Sequence, residues 1–143
     1  MQSIVPAIRR ESFPNAHVDL NITVLEQDGS ILSAALCGAT VALCQAGVEM
    51  LDLALACQAI QLDDGLFVMD PDGWEERHNA QRKGTKVVVA GMPSLGMISQ
   101  VHLVGQVEGP ALMEAISLCL DGIRALHEGV VKPTIESFHA PSA

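Results

Sequence analysis

Residues 17–46, HVDLNITVLEQDGSILSAALCGATVALCQA, place a strand-like segment, a turn and an Ala-rich helical segment in direct succession. Apolar and polar residues alternate over 17–27, which predicts a strand with one buried face. Asp28-Gly29 supplies turn chemistry, because glycine accepts the positive φ that other residues resist. Residues 30–46 contain no proline and are rich in Ala, Leu and Cys. They predict a helix buried on most sides, with a left-handed cap at Gly47.

The segment upstream of this stretch predicts the end of another helix. Ile4, Val5 and Ile8 fall on one helical face, and Pro14 closes the segment. Nothing before the strand at 17–27 supplies a layer to cover it. We therefore expect the chain to correspond to the later part of a larger domain.

Downstream, the pattern predicts a run of strands and then a helix. The predicted strands are 51–62, 66–69, 86–92 and 98–104, with a polar loop over 70–82. Pro110 opens a helix whose apolar residues recur at helical spacing as far as Leu126. The segment 137–143 is predicted to be a disordered tail. The order of elements predicts an α/β fold, an α+β two-layer domain of helices packed on a mixed sheet, within a single domain over 1–143.

Composition narrows the class of protein. The chain is 49% hydrophobic and 17% charged, which is typical of a folded domain and not of a disordered one. The apolar residues either fill an internal core or are partly buried against partners, and composition favours neither alternative. A net charge of −9 repels phosphate backbones, so any RNA contact requires a local basic patch or a partner.

The sequence shows no motif typical of a zinc site, a nucleotide-binding or hydrolase site, a signal segment or a membrane span. The four cysteines form no CxxC pair and have no histidines at zinc spacing, so we expect buried, reduced thiols. The sequence holds no GxGxxG, phosphate-binding GK(S/T), GxSxG or HExxH motif. It also has no N-terminal signal segment and no apolar run long enough to predict a membrane span. We expect no metal, no cofactor and no membrane partner.

Three segments together resemble a known family. They are FPNAHVDLNITVLEQDGS with the Ala-rich helix ILSAALCGATVALCQAGVEMLDL, then LFVMDPDGWEERH, then VVVAGMPSLGMISQVHLVGQ. In this order they resemble the RNase PH superfamily, within it the subunits that form the ring of the RNA exosome. The resemblance covers residues 2–136 and corresponds to the later half of the RNase PH-like domain, of the ribosomal protein S5 domain 2-like type. It therefore implies a domain truncated at its N-terminus.

The resemblance implies an activity and a set of partners. Domains of this superfamily pair side by side and close into a ring that threads single-stranded RNA, and active members cleave RNA from its 3′ end with phosphate. The implied partners are other RNase PH-like exosome ring subunits, cap subunits and the RNA that passes through the ring. The implied locations are the nucleus, the nucleolus and the cytoplasm.

Two of the three catalytic groups that the resemblance implies are replaced by other residues in this sequence. Asn15 stands where active members carry a phosphate-binding Arg, and it offers no bidentate clamp. Asp70 matches an Asp at a strand end, but Thr85 stands in place of a second Asp. Because one carboxylate alone is a weak metal site, these three positions are interpreted as a vestigial site with no catalytic residues.

The remaining polar groups leave alternatives open. The acidic run Asp70, Asp72, Glu75 and Glu76 is either a solvated loop or the remnant of a metal cluster. The basic residues Arg9, Arg10, Arg82 and Lys83 are candidate RNA or partner contacts, or solvated surface. The leading hypothesis is a non-catalytic structural ring subunit. The alternatives are an active phosphorolytic 3′-to-5′ exoribonuclease and an RNA-binding module.

Overall fold

The structure, a computed structural model, describes residues 2–15 and 17–139. Its strands are β1 (Leu55–Gln61), β2 (Phe67–Met69), β3 (Lys86–Met92) and β4 (Met97–Val104). Its helices are α1 (Ile31–Gln45), α2 (Gly73–Gln81), α3 (Gly109–Leu126) and α4 (Lys132–His139), and a π-helical turn, His127–Val131, joins α3 to α4. Two 3-10 turns, Val5–Ala7 and Arg10–Ser12, precede α1.

The four strands form one antiparallel sheet in the order β2-β1-β3-β4. Residues Leu55 to Ile60 of β1 pair with β3, and a bulge between Ala90 and Gly91 interrupts the pairing of β3 with β4. The predicted α/β class is confirmed. The predicted mixed sheet is wrong, because the links between neighbouring strands allow antiparallel pairing throughout.

Apolar clusters lie on both faces of this sheet. Odd-numbered residues of β1 and β3 pack with α3 and even-numbered residues with α1, and alternate residues of a strand point to opposite faces. One cluster joins Leu55, Cys57, Ala59, Val87 and Val89 to Ala115, Cys119 and Ile123. The other joins Ala54, Ala56, Ala90 and Met92 to Leu36, Ala39 and Leu43. The sheet is therefore covered by helices from two sides, not from one.

Helix α1 also covers an open edge of β1. Strand β2 pairs only with the last part of β1, from Ala59 to Gln61. Further along this edge, the Thr40 hydroxyl donates to the Ala54 carbonyl. The Ala56 N–H donates to Cys37 Sγ over 3.5 Å, and that thiol donates to the Ala56 carbonyl over 3.6 Å. Side chains of α1 thus satisfy backbone groups that a longer β2 would otherwise pair.

The predicted strand over 17–27 is wrong for this structure, in which that segment is irregular. A strand requires a neighbouring backbone to pair with, and no strand runs beside these residues in the described part of the chain. The segment lies along α1, and Val18, Ile22 and Val24 are about half exposed. The alternation is present in the sequence, but the described residues supply no strand to pair with it.

Two other local predictions differ from the structure. The predicted helix over 2–13 is replaced by the two 3-10 turns, and Ile4 is buried while Val5 is exposed, so they share no face. The predicted loop over 70–82 is wrong, because most of it forms α2.

The C-terminal helix extends past the predicted end of order. The predicted disordered tail begins at Ser137, whereas α4 runs to His139 and residues 140–143 lie outside the described residues. Among the helices that the structure describes, none is long and apolar enough to cross a membrane.

Candidate functional site

Asp70, the carboxylate that matches the family's strand-end Asp, lies just after β2. It is exposed and has φ +53°, and its N–H donates to the Gln58 carbonyl over 2.8 Å. The left-handed backbone turns the chain out of the sheet and toward α2. Because a positive φ is unusual in a residue other than glycine, Asp70 sits at a constrained turn.

A reciprocal capping box begins α2. Asp72 Oδ1 accepts hydrogen bonds from the Trp74 and Glu75 N–H groups, each over 2.8 Å, and Glu75 Oε2 accepts from the Asp72 N–H over 2.9 Å. Asp28 Oδ1 adds a bond from the Gly73 N–H over 3.1 Å. These carboxylates accept hydrogen bonds from backbone N–H groups that have no partner within the helix.

Glu76 ties α2 to the sheet. Its Oε1 accepts from Gln58 Nε2 over 3.1 Å and from Lys86 Nζ over 2.9 Å. Burial raises the pKa of the Glu76 carboxyl, but hydrogen bonds from Lys86, Gln58 and the Ser30 N–H outweigh it, so the pKa lies below its ordinary value. Glu76 is therefore a structural anion.

The predicted run of four acidic residues does not converge on one point. Asp72 and Glu75 are engaged in the capping box, Glu76 bonds to Lys86, and Asp70 lies before the helix. Within residues 2–15 and 17–139 there is no group of three His, Cys, Asp or Glu side chains arranged to hold a metal ion.

Thr85 is a buried structural residue. Its Oγ1 donates to the Gln106 carbonyl over 2.6 Å, and its own carbonyl accepts from Asn79 Nδ2 and from the Gln61 N–H. Thr85 thus bonds to the end of β1, whereas Asp70 bonds to Gln58 on its other edge. Gln58 and Gln61 are separated by roughly 10 Å of strand.

These contacts do not bring together Asn15, Asp70 and Thr85, the three positions of the predicted vestigial site. Asn15 is exposed in a turn before the irregular segment 17–27, and Asp70 and Thr85 bond to different edges of β1.

The two predicted basic pairs also have different surroundings. The Arg9 guanidinium lies 3.8 Å from Glu49, which precedes β1, and the neighbouring Arg10 is exposed. Arg82 forms an ion pair with Asp63, which follows β1. Lys83, at φ +55°, ends the turn after α2. The ion pairs of Arg9 and Arg82 lie before and after β1 in the chain, so they do not join the four basic residues into one patch.

All four cysteines are free thiols, and the prediction that they are buried is confirmed for two of them only. Cys57 and Cys119 are buried between β1 and α3, and Cys37 and Cys44 are half-buried on α1. A hydrogen bond with Cys57 and burial raise the pKa of Cys119, and burial raises the pKa values of Cys37 and Cys44. A hydrogen bond from Cys119 lowers the pKa of Cys57, so only the other three thiols are shifted toward the protonated form.

Strand β4 leaves a large apolar surface at one edge of the sheet. Five of its apolar side chains are between 40% and 54% exposed, namely Met97, Ile98, Val101, Leu103 and Val104. No other strand of the described chain lies beyond β4. An unpaired strand edge with exposed apolar residues is a template for association with another chain.

Comparison with known proteins agrees with this arrangement of strands and helices. A family model described as the 3′ exoribonuclease family, domain 1 (RNase_PH) matches residues 1–49. The solved structure of rice (Oryza sativa) Rrp46 superposes with a TM-score of 0.63, at 22% identity, over 76% of this chain and 51% of that one. The chain is RNase PH-like in sequence and in fold.

Two curated relatives, both named as exosome complex components, extend the match beyond the residues of the family model. The chain is 35% identical over 132 residues to the human exosome complex component MTR3, covering 88% of this chain and 46% of that protein. It is 30% identical over 137 residues to the exosome complex component Rrp41 of Cenarchaeum symbiosum, covering 96% and 54%. The chain spans about half the length of these relatives.

The sequence interpretation missed the network around Glu76 in this RNase PH-like chain. The sequence signal for α2 was present, because Asp72 and Glu75 have capping-box spacing. The contacts of Gln58 and Lys86 with Glu76 depend on the pairing of β1 with β3, which no local motif encodes.

Proposed function

We propose that this chain is a non-catalytic structural component of an exosome ring, supporting 3′-to-5′ RNA processing and degradation through protein contacts. The processes would include rRNA processing and mRNA turnover. The proposed partners are other RNase PH-like ring subunits and cap subunits, together with RNA that passes through the ring. The proposed locations are the nucleus, the nucleolus and the cytoplasm.

The apolar edge at β4 is the observation that carries this proposal. Its exposed residues lie on a strand whose outer edge pairs with no other strand in residues 2–15 and 17–139, so a partner strand would bury apolar area and satisfy hydrogen-bonding groups together. The named exosome components among the relatives supply the identity of the proposed assembly.

The residues at the family's catalytic positions support a structural role. Asn15 lacks the charge that a phosphate clamp needs, and the hydroxyl of Thr85 is already bonded to Gln106. Asp70 alone would offer a single carboxylate to a metal. The proposal therefore assigns binding of neighbours, not phosphorolysis, to this chain.

The protein contact is tested by capture of RNase PH-like ring subunits. Val104→Glu places a charge on the β4 edge, and we expect it to weaken capture at least tenfold, because an unpaired charge is costly within an interface. Leu66→Glu is the matched control, since Leu66 is exposed in the turn between β1 and β2. Equal capture of both variants would rule out β4 as the contact.

The absence of catalysis is tested by incubating the chain with an oligoribonucleotide, magnesium and inorganic phosphate. We expect no phosphate-dependent release of nucleoside diphosphates. Release that is lost in Asp70→Asn but kept in the control Asp64→Asn would establish a phosphorolytic enzyme and overturn this part of the proposal.

A further inference from the structure

Trp74 presents an aromatic surface to solvent. It is the chain's one tryptophan and is 65% exposed. Its ring stacks on His78, four residues along α2, with centroids 5.2 Å apart and planes 5° from parallel. The stack orients the indole while leaving much of it accessible.

The helix that carries this stack is fixed from its inner side. Gly73 is bonded to Asp28, Glu76 to Gln58 and Lys86, and the buried Asn79 to the Thr85 carbonyl. Residues at spacings of three and four therefore face outward together, and these are Trp74, Arg77, His78 and Gln81. The outer face of α2 is thus preorganised over roughly 10 Å of helix.

Positive charge is concentrated beside this face. Residues 77–86, RHNAQRKGTK, hold four of the chain's eight Lys and Arg residues and no Asp or Glu. Arg82 and Lys86 are paired with carboxylates, whereas Arg77 and Lys83 form no ion pair within the described residues. Asp72 and Glu75 lie at the other end of α2, in the capping box. Of the two cations without an ion pair among the described residues, Lys83 lies beyond the C-terminal end of α2, whereas Arg77 Nη1 lies 3.1 Å from the position that a Cβ on Gly73 would take.

We propose that the outer face of α2 binds single-stranded RNA, with a base stacked on Trp74 and phosphates contacted by Arg77 and Lys83. Stacking on an aromatic ring is tolerant of sequence because every base has a π face, and nearby cations follow the backbone. The choice of RNA over a protein ligand rests on the proposed function, and the local charge supports it.

The lone tryptophan makes a direct test possible in the full chain. A short oligouridylate is expected to quench tryptophan fluorescence saturably at low salt, and a duplex of equal length is expected to bind far more weakly. Trp74→Ala, followed by anisotropy of a labelled oligouridylate, is expected to weaken binding about tenfold, and Trp74→Phe much less. Absence of quenching, or equal affinity of wild type and Trp74→Ala, would overturn the proposal.

The contacts of Arg77 and Lys83 with phosphate are tested by the salt dependence of RNA affinity. Arg77→Ala and Lys83→Ala are each expected to reduce the magnitude of the slope of log affinity against log salt by about 0.7, the value for one phosphate contact on a single strand. Arg124→Ala, an exposed arginine on α3, is the matched control and should leave the slope unchanged. An equal effect of all three variants would show non-specific attraction and contradict the proposal.

The assembled form is tested by photo-crosslinking. A thiouridine-substituted oligouridylate, irradiated with the chain and RNase PH-like ring subunits, is expected to attach to the peptide that contains Trp74. Attachment elsewhere on the chain alone would overturn the site.

Loss of subunit capture by Trp74→Ala with unchanged RNA affinity would identify a protein contact instead. Conversely, failed capture of the wild-type chain with intact quenching would refute the ring proposal and leave this site standing.

Discussion

Glu76 concentrates much of the polar chemistry that joins α2 to the sheet. One carboxylate oxygen accepts from both Gln58 and Lys86, whose strands pair with each other. The Glu76 side chain is 22% exposed, so solvent screens the ion pair only in part. At the scale of residues, this contact fixes the helix that carries Trp74.

Removing the charge of Glu76 is expected to change the pH dependence of stability. Its pKa is lowered in the folded protein, so its contribution is present above the ordinary carboxyl pKa and is lost as pH falls through the folded value. Glu76→Gln should reduce the free energy of unfolding by about 1–2 kcal/mol at neutral pH. Urea denaturation across the acid range should show the variant and wild type converging at low pH.

The exposed Glu114→Gln serves as the control for that series. A constant difference between Glu76→Gln and wild type at every pH would show that the carboxylate charge is not what stabilises the contact.

Two helix glycines have opposite surroundings. A Cβ on Gly122 would collide with the Met69 sulfur and lie 2.9 Å from Cys57 Sγ, whereas a Cβ on Gly38 would meet nothing within 4 Å. Gly122→Ala should therefore lower the free energy of unfolding by about 1–3 kcal/mol through overpacking. Gly38→Ala should raise it by up to about 1 kcal/mol through helix propensity. Thermal or urea unfolding of the two variants measures the contrast, and equal shifts would contradict the packing of α3 on β1.

At the scale of elements, α2 shows what local sequence does and does not reveal. The run from Asp70 to Arg82 is polar, which suggested a loop, yet Asp72 and Glu75 already encode the start of a helix. The strand pattern at 17–27 is equally clear, but strand formation depends on a neighbouring backbone. The strands β1 and β3 were predictable because most of their residues are apolar. The Gln58–Glu76–Lys86 contact was not, since it depends on strand pairing.

The capping box is expected to control the stability of α2. Asp72→Ala should cost about 1 kcal/mol, because two helix N–H groups lose their acceptor, while Asp72→Asn should retain most of the cap. Hydrogen exchange of the amides of α2 is the appropriate measurement. Unchanged protection in Asp72→Ala would mean that the inner contacts alone hold the helix.

At the scale of the whole molecule, two surfaces remain open. One is the apolar edge of β4, and the other is the segment 17–27, which lies on α1 and pairs with no strand among the described residues. We expect the isolated chain to fold but to self-associate through these surfaces as its concentration rises, and the surfaces to become protected from hydrogen exchange on binding ring subunits. The similarity to rice Rrp46, with a TM-score of 0.63, agrees with the observed fold. It leaves the choice of neighbours to experiment.

Light scattering coupled to size-exclusion chromatography, applied to the chain mixed with RNase PH-like ring subunits, decides whether this chain assembles with them. We expect a complex of defined mass that contains the chain in fixed stoichiometry, and loss of that complex in Val104→Glu. A chain that elutes alone as a stable monomer in the presence of those subunits would contradict the proposed assembly.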